Sequence, residues 1–111
     1  MSKINLTYDK KEYTLEYSRQ SVKTMENQGF ILEELTAKPA NMIPLLFAGA
    51  FIKNHSGKNG VKRKVIDEIF EEIDDKAALL EALMEMYAET LSSLTEGNNS
   101  GEGNVSWAMV K

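Results

Sequence analysis

The chain has 111 residues, 42% of them apolar and 27% charged, with a formal charge of −4. These are values of a soluble domain, and they exclude a fibrous chain and a wholly disordered one. No cysteine is present, which excludes disulfides, thiolate metal sites and thiol nucleophiles, and the single histidine argues against a multi-histidine metal centre.

Residues 4–8 and 12–17 alternate, with Ile4, Leu6 and Tyr8 on one face of the first run and Tyr13, Leu15 and Tyr17 on one face of the second. Period-two alternation rich in Ile, Thr and Tyr predicts two half-buried strands, joined as a hairpin through Asp9-Lys10-Lys11. A lone hairpin is marginal in water, so its apolar face must lie on helices or its edge must pair with another chain.

From Ser18 the period changes to 3.6. Ser18 or Ser21 can cap a short helix running to about Gln28, with Val22 and Met25 inside. Gly29 stops it, and Phe30 is the apolar residue that follows a glycine C-cap. Ile31, Leu32 and Leu35 predict a further turn or two. Asn41 is the expected cap of the next helix, with Pro44 in its first turn. The run Met42–Ile52 is apolar almost all round, which predicts a central helix buried on every side. Its Gly49 suits a close helix crossing. Ser56–Gly60 reads as a loop. Val61, Val65, Ile66, Ile69, Phe70 and Ile73 form the stripe of another helix, ended by Asp74 and Asp75, which cap a last helix from Lys76 to about Leu94. The expected core is Phe47, Phe51, Ile69, Phe70, Leu83 and Tyr87.

The fold class that follows is α+β, mainly α: an N-terminal two-stranded hairpin and four or five packed helices. The expected domain spans 1–94. Residues 95–111 begin with a Gly/Asn/Ser-rich stretch expected to be flexible through 104, and end in an apolar cluster around Trp107.

On the last helix, Leu79, Leu83, Met86, Tyr87 and Leu94 share a narrow face, and Leu80, Met84 and Leu91 widen it on one side. One core contact needs a stripe of about 100°. The surplus predicts a surface for a partner or a second copy at Leu80, Met84 and Leu91, with Trp107 as a further apolar anchor. Glu81, Glu85 and Glu89 stand opposite.

No residue pattern carries catalysis, so no enzyme, cofactor or metal site is expected. His55 has no nucleophile or carboxylate placed around it; as an imidazolium it would suit a helix C-terminus. Lys62-Arg63-Lys64 reads as an exposed face pairing with acidic neighbours. Asp67, Glu68, Glu71, Glu72, Asp74 and Asp75 lack the alternating ligand spacing of a calcium loop and read as a solvated helix face. With no basic excess to neutralise phosphates, nucleic-acid binding is not expected. The longest apolar run has eleven residues against about 20 for a membrane span, so no membrane partner is expected either. Residues 1–60 hold eight basic and six acidic residues, and 61–111 hold five and eleven, so the negative charge lies in the second half.

The order of segments Leu6–Tyr17, Met25–Phe30, Leu45–Phe51, Ile66–Phe70 and Leu83–Tyr87 resembles the small tail assembly chaperones of long-tailed, siphovirus-type bacteriophages of Gram-positive hosts. The likeness covers about residues 4–94. It implies a non-catalytic protein that binds the tape measure protein, keeps it soluble and assists assembly of the tail tube. It also implies contact with the tail tube protein, self-association, a place in the host cytoplasm and absence from the mature virion. The alternative is a structural tail or head-completion subunit retained in the particle.

Overall fold

A computed structural model describes residues 2–56 and 60–95. Strands β1 (Ile4–Tyr8) and β2 (Lys11–Leu15) form an antiparallel hairpin in the register Ile4↔Leu15, Leu6↔Tyr13, Tyr8↔Lys11. The connection is a two-residue turn, one residue shorter than the predicted link. Asp9 and Lys10 both take positive φ, 50° and 65°. That is the left-handed geometry whose twist matches the flanking strands, adopted here without the usual Asn-Gly. The alternation holds: Tyr13 and Leu15 are buried, while Ile4, Leu6 and Tyr8 are half-buried.

Helix α1 (Arg19–Asn27) starts with a full capping box. The Ser18 hydroxyl accepts the Ser21 N–H, and the Ser21 hydroxyl accepts the Ser18 N–H. Both candidate caps are therefore used, one as N-cap and one three residues on. At the other end Gly29, at φ 98°, turns the chain. Phe30 N–H then donates to Met25 O and Gly29 N–H to Glu26 O, the double bond pattern of a Schellman end. This aims Phe30 into the core, where it is 2% exposed. A single 3₁₀ turn (Leu32–Glu34) follows.

Helix α2 (Pro39–Gly49) begins three residues earlier than expected. Lys38, not Asn41, occupies the N-cap position, because Pro39 brings its fixed φ to the first helical position. Pro44 consequently lies in the second turn. Helix α2 is central, touching α1, the 3₁₀ turn, α3 (Arg63–Glu72) and α4 (Lys76–Thr95). It is not buried all round: Met42, Leu46, Phe47, Gly49 and Ala50 are covered, but Ile43, Pro44, Leu45 and Ala48 are half-buried.

Its C-terminal end tightens. Ala50, Phe51 and Ile52 N–H donate three residues back instead of four. The Leu46 carbonyl thereby loses its intrahelical donor, and the Tyr17 hydroxyl donates to it at 2.6 Å. The Ala50 carbonyl in turn accepts Glu16 N–H at 2.9 Å, so β2 and the end of α2 satisfy each other.

Helix α3 starts at Arg63 rather than Val61, burying Ile66 and Ile69. The Asp75 carboxylate accepts Ala78 N–H and caps α4. The core contains five of the six predicted residues. Phe70 is the exception; it is half-buried, stacked on Phe47 with ring centroids 5.1 Å apart and overlain by the Lys76 ammonium. Met25, Met42 and Met86 fill the core, as their places on apolar stripes predicted. Residues 57–59 of the predicted loop, and 96–111 with Trp107, lie outside the described residues.

Candidate functional site

Helix α4 buries Leu83, Met86, Tyr87 and Thr90. Its two flanks are treated differently. On one, Ser2 donates from its N–H and hydroxyl to the Glu89 carboxylate at 3.3 and 3.0 Å, and the Arg19 guanidinium donates to the Ser93 carbonyl. On the other stand Leu80, Met84 and Leu91, packed against the core but half-buried. Leu94, expected on the inner face, is 51% exposed. The last turn of α4 runs past the side chains that cover its middle.

Leu91 forms one wall of a shallow groove of about 280 Å³ with Tyr87, Phe30, Ile31 and Leu32, rimmed by Glu26 and Glu33. Local sequence explains it. The Schellman end sends Phe30 inward against Tyr87, ring centroids 5.0 Å apart, and the next residue, Ile31, must then face outward. Ile31 is 46% exposed, which with Leu94 makes a discontinuous apolar strip beside Leu91. Burial raises the Tyr87 hydroxyl pKa, and the carboxylates of Glu26 and Glu33 raise it further. The groove is thus apolar within and negative at its rim. Leu91 is the one predicted partner-binding residue that lines it; Leu80 and Met84 sit nearer the N-terminus of the same helix, and Trp107 lies outside the described residues.

Sequence reasoning missed a second groove. It lies between the first half of α2 and α3, holds about 1020 Å³, and has Pro39, Met42, Leu45, Phe47 and Phe70 among its walls. The Arg63–Asp67 pair, 3.3 Å apart and four residues apart on α3, stands at its rim. The half-burial of Leu45 and Phe70 is the local sign of it. In sequence, an all-round apolar helix reads as fully covered, and nothing marks which side a neighbour leaves open.

Neither groove holds a nucleophile beside a base. His55 is occupied structurally: its Nε2 accepts Thr14 N–H at 3.0 Å, and its ring lies 5.3 Å from that of Tyr13. That nitrogen is engaged by the backbone of β2, so the ring serves to hold the hairpin against the chain after α2. Among the described residues no three His, Cys, Asp or Glu side chains are grouped to hold a metal. The six carboxylates from Asp67 to Asp75 are all exposed. No described helix is long and apolar enough to cross a membrane.

The architecture is that of a small helical domain headed by a β-hairpin, with apolar grooves and charged rims. The chain belongs to the family described as domain of unknown function DUF5055, whose model matches residues 1–110. No curated protein and no solved structure matches it.

Proposed function

We propose that this protein is a non-catalytic tail assembly chaperone of a long-tailed bacteriophage, which binds the long, helical, apolar tape measure protein in the host cytoplasm and assists tube assembly around it. The observation that carries the reading is the strip Ile31–Leu91–Leu94 with its acidic rim at Glu26 and Glu33. An amphipathic client helix needs an apolar track, and an acidic border favours a client with lysine or arginine beside its apolar face. Contacts of this kind are individually weak, which suits a chaperone that must release its client. The order of segments over residues 4–94, and a net charge that keeps the complex soluble, support the same reading.

The test is co-expression of the full chain with a tape measure protein and pull-down of the complex. Ile31→Asp and Met84→Glu are expected to keep the circular dichroism of the wild type and to lose the client. Both variants folded and binding normally would remove this flank from the account. Detection of the protein in purified virions would favour a retained structural subunit instead.

A further inference from the structure

We propose that the outer edge of β1 pairs with the same edge of a second copy of this chain, making a four-stranded antiparallel sheet across a two-fold axis.

The register shows which backbone groups face outward. Thr14 N–H reaches His55, the Thr14 carbonyl accepts from the Asn54 amide, and Glu16 N–H reaches Ala50. These groups therefore point away from β1, and the far edge of β2 is engaged at Thr14 and just beyond it at Glu16 by the end of α2 and the turn after it. Thr14 is opposite Asn5, and Glu12 is opposite Thr7. In an antiparallel pair, residues opposite each other share the same orientation, so the N–H and C=O groups of Asn5 and Thr7 point outward from β1. Among the described residues no backbone bond engages them.

This edge lacks the usual protection. Natural edges carry charges, prolines or bulges that prevent pairing. Strand β1 reads Ile-Asn-Leu-Thr-Tyr, uncharged and without proline, whereas β2 carries Lys11 and Glu12. Its inward side chains, Ile4, Leu6 and Tyr8, remain half-buried although they face the core. A neighbouring strand with the same apolar row would extend that cover.

Self-complementarity selects the occupant. Centring the two-fold on Leu6 places Leu6 opposite Leu6 and Ile4 opposite Tyr8 on the apolar face. Asn5 then meets Thr7 through the outward backbone groups. Lys3 comes opposite Asp9 of the second copy, and Asp9 opposite its Lys3. The charged residues immediately before and after the strand thus pair with opposite sign, twice.

Analytical ultracentrifugation over a dilution series tests this on the full chain. The wild type is expected to dimerise. Thr7→Pro removes an outward N–H that the hairpin does not use, and is expected to give a folded monomer. Lys3→Glu places two acidic pairs across the axis and is expected to weaken the dimer about tenfold. Adding Asp9→Lys is expected to restore it. Lys3 and Asp9 of one chain are about 20 Å apart along the strand, so that rescue requires two copies. A wild type that stays monomeric overturns the proposal. So does a dimer indifferent to Lys3→Glu, which would use another face. Exchange-protected Asn5 and Thr7 amides in a monomer would also overturn it, by assigning the edge to another strand of the same chain.

Discussion

Gly49 of α2 lies directly against Met25 of α1. A Cβ built on Gly49 would overlap Sδ, Cγ and Cε of Met25, whose side chain is fully buried. The two helices cross at a distance that only a hydrogen at this position allows.

Gly49→Ala therefore sets two effects against each other. Alanine favours the helix by up to about 1 kcal/mol. Overpacking a buried site costs about 1–3 kcal/mol. Because Met25 is fully buried and cannot swing out into solvent, the expected result is a net loss of stability in urea denaturation. The loss should shrink when Met25 is also shortened to alanine, as a positive coupling in the double-mutant cycle. Equal effects in both backgrounds would show that the two residues do not meet.

Tyr17→Phe should cost about 1–3 kcal/mol, because it leaves the buried Leu46 carbonyl without a donor. The pKa of the Tyr17 hydroxyl is raised far above its usual value by burial, so it stays protonated and donating throughout the neutral and mildly alkaline range. Thermal melts of the two proteins measure the difference.

Phe51→Ala should cost about 3–5 kcal/mol, a large share of the 5–15 kcal/mol that holds a typical domain. Phe51 is 1% exposed and touches Phe47 and Tyr13 edge-on, at 5.2 and 5.9 Å between ring centroids. An unchanged melting temperature would place the ring outside the core.

Glu16 gives a pH dependence. Its carboxylate accepts from Lys53 Nζ at 2.7 Å and Asn54 Nδ2 at 3.2 Å, and these bonds hold its pKa below the usual carboxylate range. A group depressed in the folded state stabilises above its unfolded pKa, about 4.3. That contribution is lost as pH falls through the folded value. Relative to Glu16→Gln, the wild type should lose up to about 1 kcal/mol on acidification below pH ~4.3, and nothing between neutrality and that point. Urea midpoints of both proteins across that range check it; parallel curves would mean the bonds contribute no net stability.

The hairpin, a serine cap at Ser18 or Ser21, the stop at Gly29 and an aspartate cap of α4 at Asp74-Asp75 were legible from the residues, because each rests on a local rule: alternation, a polar side chain at a helix start, a glycine at positive φ; the structure selects Ser18 and Asp75. Local rules also marked Phe30, Met25 and Gly49. The start of α2 was misread at Asn41 because two signals compete there, and the fixed φ of Pro39 prevailed over a capping side chain. Everything that defines the candidate surface needed the third dimension. The width of the apolar arc on α4 pointed to Leu80, Met84 and Leu91, but only packing shows that the hairpin's leading residue and Arg19 bind the opposite flank. Only packing joins Ile31 to Leu91, since they are distant in sequence and meet through the reversal at Gly29. The groove between α2 and α3 was invisible for the same reason. Apolar periodicity states which side of a helix avoids water, whereas the neighbours that arrive decide how much of that side they cover.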